Sequence, residues 1–382
     1  MMSDELISQA VFRSGNQMIA EGALRAGCRF FAGYPITPAT GIFKAMVDAL
    51  PGRKGLALST PDEISAIAYT IGAAMRGYKA MTATSGPGWA LMIESVQYAL
   101  MTETPLVVAL VQRLGPSTGG ATQGGQGDVL LAEFATSGGY TIPVLSPSDA
   151  HECAQLTHTA FRWAERLRTP VIVLSDKEIA MTSERVDIDH LPVDHLPATF
   201  DVGEKEENGN FWFETLSDIP AFLPVGGDSR VITTGSAHDM KGKLQKNSPE
   251  TIEVLKHLEE KIHWRASELE IVDIDKDEGS TTVLVSYGIT TRAAQEAVEQ
   301  ARDRKIPVTH VAVKSLFPVP WYALSEAFED AERIIIAEEN MGGLYRSVLE
   351  RRIGSMNVIG INKIGSMITP REILRSLEEG LV

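Results

Sequence analysis

Four stretches of the chain set reactive side chains, or bare backbone, directly after apolar runs. The first is 33–40, where Thr37 offers a hydroxyl between Pro35 and Pro38, two residues that stiffen the turn. Such a hydroxyl could orient a ligand, and Thr37 or Thr40 could equally cap the helix that follows. In the second, Thr60-Pro61-Asp62-Glu63 fits a capping box, with Thr60 at the cap, Pro61 at the first helical position and Glu63 reaching back. The competing role puts Glu63, which leads into the apolar segment ISAIAYTIGAAM, where a carboxyl group can accept or share a proton.

The third stretch, KAMTATSGPGWALM at 79–92, reads as strand, tight turn and helix. Gly86 and Gly88 permit close approach to the backbone, so the amides at the helix start suit an anion or the edge of a flat ring. It is not a dinucleotide fingerprint, because Leu91 stands where the third glycine belongs. The fourth, 112–128, opens on Arg113, whose guanidinium can hold a carboxylate on two points or form an ordinary ion pair. Six glycines between 115 and 127 then argue against regular structure and predict a mobile or ligand-covering loop. Gly115 to Gly119 also fits G-x-S-x-G around Ser117, but a nucleophile elbow needs a helix straight after the serine and glycines follow instead. The histidines, among them His151, His158, His190 and His195, form no ligand motif and are expected at the surface or at helix ends.

These stretches require a scaffold of strands ending side by side. Candidate strands at 28–34, 55–59, 79–84, 105–112, 140–145 and 170–176 are rich in Val, Ile, Leu and Ala with little alternation, as expected when helices cover both faces. Helical patterns at 13–26, 40–49, 61–77, 88–101 and 149–167 lie between them, which predicts an α/β fold with a doubly wound parallel sheet over 1–190. Residues 191–276 are dominated by acidic and turn-forming residues and read as an excursion packed on that domain, ending in a linker at 273–280. From 277 to 382 a smaller α/β domain follows: strands at 281–288, 308–315 and 333–340, helices near 291–303 and 321–330, and two further helices. Tyr287-Gly288, Lys314 to Pro318 and Glu338 to Gly343 end these strands and could line an interface or simply turn the chain.

Composition narrows the function classes. Asp and Glu number 50 against 35 Lys and Arg, a net charge of −15 that repels nucleic acid and anionic lipid. No apolar run reaches the ~18 residues of a membrane span, and the start, MMSDELISQAVFRSGNQ, lacks the features of a secretory leader, so a cytoplasmic chain is expected. Cys28 and Cys153 could form one disulfide by counting. A cubane iron–sulfur cluster needs about four thiolates, so this polypeptide cannot carry one alone.

Several stretches, in order, resemble one family. GNQMIAEGALRAGCRFFAGYPITPAT, DEISAIAYTIGAAMRGYKAMTATSGPG, VQRLGPSTGG, TTGSAHDMKG, VLVSYGITTRAAQEA, KSLFPVP and EENMGG are similar to the alpha subunit of 2-oxoacid:ferredoxin oxidoreductases, especially the 2-oxoglutarate type, over nearly the full length. The resemblance implies a thiamine diphosphate enzyme that oxidatively decarboxylates a 2-oxoacid to its acyl-CoA and reduces ferredoxin. Residues 1–190 would face the aminopyrimidine, and 277–382 would resemble the transketolase C-terminal domain. By the same resemblance Glu63 activates the cofactor, Tyr34, Pro35, Ser85 and Gly86 contact it, and Thr37, Arg113, Ser117 and Thr118 hold the substrate. The diphosphate, Mg2+ and the [4Fe-4S] cluster would belong to a partner beta subunit, with gamma and delta subunits as further candidate partners. The Pro61-Asp62 lead-in and the loop GGATQGGQGD depart from the usual family pattern. Branched-chain 2-oxoacid or pyruvate oxidation, a thiamine-dependent decarboxylase or synthase without electron transfer, and a non-catalytic docking subunit are the competing readings.

Overall fold

Val-, Ile- and Leu-rich runs can be buried on both faces only if helices lie on each side, and the first half of the chain supplies them alternately. The computed structural model describes residues 10–192, 209–354 and 357–379; the part of the excursion at 193–208, His195 included, lies outside them. In chain order the elements are β1 (Ala10–Ser14), α1 (Gly15–Arg25), β2 (Phe30–Gly33), α2 (Thr40–Ala49), β3 (Leu56–Ser59), α3 (Glu63–Met75), β4 (Ala80–Thr84) and α4 (Gly86–Met101). Next come β5 (Leu106–Gln112), α5 (Val129–Glu133), β6 (Val144–Leu145), α6 (Ala150–Leu167), β7 (Pro170–Asp176), α7 (Lys177–Met181) and β8 (Ser183–Asp187). A seven-stranded sheet runs β12 (Ser315–Phe317), β6, β7, β5, β4, β2, β3. Its strands β2 to β7 pair in parallel, and the central pair β5 and β7 is buried throughout.

The seventh strand, β12, comes from the C-terminal part of the chain and pairs antiparallel with β6. That part otherwise consists of α8 (Pro249–His263), β9 (Val272–Asp275), β10 (Thr282–Ser286), α9 (Thr290–Asp303), β11 (Thr309–Val313), α10 (Trp321–Phe328), β13 (Arg333–Glu338), α11 (Leu344–Ile353), β14 (Asn357–Asn362) and α12 (Pro370–Glu378). Its own sheet runs β14-β13-β10-β11-β9. Two differences from the sequence reading appear here. The segment expected as a linker begins with β9, an antiparallel edge strand on β11, and of the region expected to hold only helices, 357–362 is the parallel edge strand β14. Edge strands carry weak apolar signals because one side faces water, and Gly360 breaks the short apolar run of β14.

The two sheets share a core. One apolar cluster joins Trp89, Leu110, Val144 and Leu174 of the first sheet and its helices to Tyr287, Phe317 and Tyr345 of the second unit. On the opposite face, α1 packs on α6; His158, expected at the surface, is buried on α6. Both cysteines are free and buried, so they form no disulfide, and burial pushes the Cys28 thiol up to about 12. Among the described residues no helix is long and apolar enough to cross a membrane.

A buried charge cluster fastens the excursion to the first sheet. Glu103 receives Lys261 Nζ at 2.7 Å and His257 Nε2 at 3.2 Å, with all three side chains fully buried. Burial drives the Glu103 carboxyl up, but Lys261, His257 and Arg168 together hold it well below the usual carboxylate range. Arg168 donates to the carbonyls of Glu103, Asn210 and Ala221, so one guanidinium ties the chain before β5 to residues that follow the undescribed stretch.

Candidate functional site

In parallel sheets ligands collect beyond the carboxyl ends of the strands, and here β2, β3, β4 and β5 end side by side. After β3 the chain turns into α3. Asp62, not Thr60, caps this helix: its carboxylate accepts from Ser65 N at 2.7 Å, while Thr60 Oγ1 donates to the carbonyl of Asp62. The expected capping box is therefore overturned. A short Asp side chain next to the first turn reaches the helix amides that Thr60, two residues earlier, does not. Glu63 becomes the first helical residue, 7% exposed, and takes no part in capping.

Glu63 instead lies across the first turn of α4. A Cβ at Gly88 would sit 2.2 Å from Thr84 Oγ1 and 2.7 Å from Glu63 Oε1, so only glycine leaves room for that carboxyl group. Gly86 is under the same constraint, since a Cβ there would meet the two carboxylate oxygens of Asp128 at 2.8 and 2.9 Å. The helix start thus carries a carboxyl group on each of its two glycines. Ser85 occupies the N-cap position without capping, and its buried Oγ has no hydrogen-bond partner. Asp128 Oδ2 is likewise buried and unpartnered; burial pushes this carboxyl up to about 6 against the opposing charge of Arg113.

Arg113 leaves the end of β5, almost fully buried, and donates to two backbone carbonyls, Thr37 at 2.5 Å and Thr118 at 2.9 Å. Its Nε is buried without a partner. The structure therefore joins Thr37, Arg113 and Thr118, but through carbonyls rather than hydroxyls, and leaves one guanidinium nitrogen open. Neither threonine after Pro35 caps α2: the N-cap is Ala39, with no side-chain bond. Tyr34 and Pro35 are exposed on the same turn, and Ser117 is exposed with a left-handed φ of 55°, tied to Arg113 by no hydrogen bond. The glycine-rich loop, expected to be mobile or ligand-covering, doubles back on itself: Gly120 N donates to Leu114 O, Gln123 N to Gly120 O and Leu114 N to Gln123 O. Gly119, at φ 50°, permits the turn, because a Cβ would fall 1.8 Å from Leu114 O.

Behind this surface lies a layer of polar side chains that the sequence reading passed over. Gln112 Oε1 accepts from Asp128 N at 3.0 Å, and Gln112 Nε2 donates to Asp176 Oδ1 at 3.0 Å. Asp176 Oδ2 accepts from Ile289 N and from Gln126 Nε2. Gln126 continues into the second unit through Tyr287, Thr290, Glu339 and Asn340. The signal for Asp176 was present, since a carboxylate closing the apolar strand 170–176 is as conspicuous as Arg113 closing 105–112. Asp128 and Gln126 stood in the glycine-rich stretch, where the glycines drew the interpretation.

The arrangement fits the aminopyrimidine end of thiamine diphosphate. A flat heterocycle needs a carboxyl group for a ring nitrogen and hydrogen-bonding atoms along its edge; the Glu63 carboxyl suits the first, and Ser85 Oγ and Asp128 Oδ2, buried without a partner, suit the second. Among the described residues no group of three or more His, Cys, Asp or Glu could hold a metal ion. A groove of about 720 Å³ lined by Arg29, Leu56, Tyr69, Arg76 and Tyr78 opens elsewhere, beside the starts of β2 and β3, and includes none of these site residues.

Comparison with known proteins agrees with that chemistry. Residues 21–255 match the family described as pyruvate flavodoxin/ferredoxin oxidoreductase, thiamine diphosphate-binding, and residues 280–373 match the pyruvate:ferredoxin oxidoreductase core domain II. The chain is 39% identical to a 2-oxoglutarate synthase subunit KorA of Methanothermobacter marburgensis, over 97% of this chain and 99% of that one. It is 31% identical to the alpha subunit of 2-oxoacid:ferredoxin oxidoreductase 1 of Aeropyrum pernix, spanning 56% of that longer protein. A solved 2-oxoglutarate:ferredoxin oxidoreductase from Magnetococcus marinus, with 2-oxoglutarate, coenzyme A and succinyl-CoA bound, superposes with a TM-score of 0.89 at 29% identity, covering 97% of this chain and 65% of that chain.

Proposed function

Because the chain belongs to the pyruvate flavodoxin/ferredoxin oxidoreductase family, we propose that it is the alpha subunit of a 2-oxoglutarate synthase, active only in complex with a beta subunit. The reaction is oxidative decarboxylation of 2-oxoglutarate to succinyl-CoA with reduction of ferredoxin. The observation that carries this reading is the Glu63 carboxyl group laid on Gly88 at the start of α4, freed from the capping role its spacing suggested. Relatives named 2-oxoglutarate synthase subunits are 36–39% identical, against 30% for ketoisovalerate oxidoreductase subunits matched over a similar length, so branched-chain oxoacid, pyruvate and non-redox decarboxylase readings are not favoured.

Thiamine diphosphate, when bound, supplies a thiazolium carbon that stabilises the carbanion left by decarboxylation. The chain's own residues hold and orient. Glu63 presents a carboxyl oxygen that holds a proton against the ring nitrogen of the pyrimidine. Gly86 and Gly88 leave room for the Asp128 and Glu63 carboxyl groups, with Ser85 Oγ free to bond the ring and Tyr34 and Pro35 on the adjoining turn. Arg113, with Nε open, and the hydroxyls of Thr37, Ser117 and Thr118 orient the substrate's carboxylate and carbonyl. In this reading the beta subunit holds the diphosphate, Mg2+ and a [4Fe-4S] cluster, coenzyme A takes the acyl group, and the assembly works in the cytoplasm. Ile64, next to Glu63 on α3, and Leu91 on the second turn of α4 are each about half exposed, which supports a partner subunit covering these helices.

The test is co-purification with the beta subunit followed by a panel of 2-oxoacids with ferredoxin as acceptor. The reading expects 2-oxoglutarate-dependent, coenzyme A-dependent ferredoxin reduction by the complex and none by this chain alone. Activity or a cluster chromophore from the isolated chain, or release of free aldehyde without reduction of the acceptor, overturns it.

A further inference from the structure

The glycine-rich loop ends on Gln126-Gly127-Asp128, and its end is bonded both to the first sheet and to the C-terminal unit. Gln126 uses every hydrogen-bonding group it has. Its peptide N–H donates to Glu339 O at 2.7 Å and its carbonyl accepts from Asn340 Nδ2 at 3.1 Å. Its side-chain Oε1 accepts from Glu339 N at 2.8 Å and Thr290 Oγ1 at 3.1 Å, and its Nε2 donates to Tyr287 O and Asp176 Oδ2, each at 3.1 Å. A backbone N–H can only donate and a backbone carbonyl can only accept, so Glu339 N and Tyr287 O fix which way this amide points. Gln112 is fixed in the same way, because its Oε1 faces the N–H of Asp128.

Asp176 joins the two amides. It is fully buried, has no cation beside it, and accepts from Gln112 Nε2, Gln126 Nε2 and Ile289 N, the last at 2.6 Å. Burial and the nearby Glu339 and Glu178 push this carboxyl upward, while the donors pull it back. Every neighbour reaching its oxygens is a donor, an arrangement that favours the ionised form although burial raises the carboxyl to about 8. Gly288, at φ 56°, makes room for it: a Cβ there would lie 2.1 Å from Asp176 Oδ2. A buried carboxylate surrounded only by neutral donors is costly, and such groups recur at functional sites.

We propose that Asp176 and Gln126 are positioning residues through which the C-terminal unit sets the glycine-rich loop, and with it Arg113 and Asp128, for the 2-oxoacid. The chain of bonds is directional. Replacing Asp176 by Asn turns one acceptor into a donor. If the Asn oxygen serves Ile289 N and Gln126 Nε2, its amide nitrogen faces Gln112 Nε2, and Gln112 cannot flip without turning its own Nε2 onto the N–H of Asp128. Replacing Gln112 by Glu in the same chain restores the match, because one new carboxylate oxygen accepts from Asn and the other from Asp128 N.

The experiment has two readouts, and only the second rests on the proposed function. In the isolated full chain, Asp176→Asn is expected to speed amide hydrogen exchange of loop peptides covering 114–128 by about tenfold, the loss of one charge-assisted bond, with β4 and β5 unaffected. The Gln112→Glu/Asp176→Asn double variant is expected to return to wild-type exchange. In the assembled complex, Asp176→Asn is expected to raise KM for the oxoacid about tenfold while kcat changes less than about threefold, again reversed in the double variant. Should Asp176→Asn fail to fold, Gln126→Met carries the same exchange and KM readouts. Unchanged loop exchange in the single variant, a KM unmoved while the loop loosens, or a double variant as impaired as the single one overturns the proposal. An inactive wild-type complex contradicts the proposed function instead, leaving the exchange result to judge the coupling.

Discussion

Glu103 and Glu63 are both buried carboxyl groups, but their surroundings differ. Glu103 has Lys261 and His257 within hydrogen-bonding distance and Arg168 nearby, so its charge is matched where it sits. Glu63, Asp128 and Arg113 gather at one end of the first sheet with no direct ion pair among them, and Ser85 Oγ, Asp128 Oδ2 and Arg113 Nε are left unpartnered. The Glu103 cluster also keeps a free atom on Glu103 and one on Arg168, but its formal charges are opposed. In a low-dielectric interior, unmatched polar atoms destabilise the fold unless something else meets them. One region therefore fastens the excursion to the sheet, and the other holds hydrogen-bonding capacity in reserve for a ligand.

That contrast can be broken most sharply at Glu63. Glu63→Gln keeps the shape on Gly88 but cannot exchange a proton, so turnover of the assembled complex should fall by about 10³-fold or more with the thermal midpoint unchanged. A variant with near-normal turnover would return Glu63 to a packing role. Lys261→Met is the reciprocal case. Removing one partner from the buried cluster should cost about 3 kcal/mol in denaturant unfolding, while turnover per folded complex stays at the wild-type level. A loss of turnover without loss of stability would erase the distinction between the two regions.

The smallest effect is a pH dependence that sharpens the picture of Asp128. Its carboxyl rises on folding from the ordinary 3.8 to about 6, so between those values the folded chain binds more protons than the unfolded one. Stability from this group is present below about 4 and declines as pH climbs through about 6, by at most about 3 kcal/mol in all. Asp128→Asn does not titrate, so the stability difference between wild type and variant should shrink or reverse across that window. Parallel unfolding curves from pH 4 to 7 would show that Asp128 meets a partner in solution.

Much of this was legible in the sequence. Apolar strands ending at Gly33, Thr84, Gln112 and Asp176 were close to their observed limits, because runs buried on both faces carry a signal that needs no distant information. Glu63, Arg113 and the glycines at 86 and 88 stood out by type and place. The cap of α3 was misread because Thr60 and Asp62 both precede the helix and spacing alone cannot rank them. The edge strands β9 and β14 were missed, being short and open to water on one side. Arg113 is expected from the sequence either to clamp a carboxylate or to form an ion pair, whereas two of its nitrogens are taken by carbonyls, one of them 76 residues away.

The sequence by itself determined the alternation of strand and helix, the glycines at the start of α4 and the acidic balance of the chain, because each depends on residue type and on neighbours a few positions away. Only the tertiary structure decided that Asp128 lies on Gly86, that Asp176 receives Gln126 from 50 residues off, and that Gln126 reaches Tyr287 across 161 residues. Local propensity has no term for such pairs. They form when packing removes water from both partners at once, and a buried donor or acceptor must then take whatever group the fold has placed opposite it.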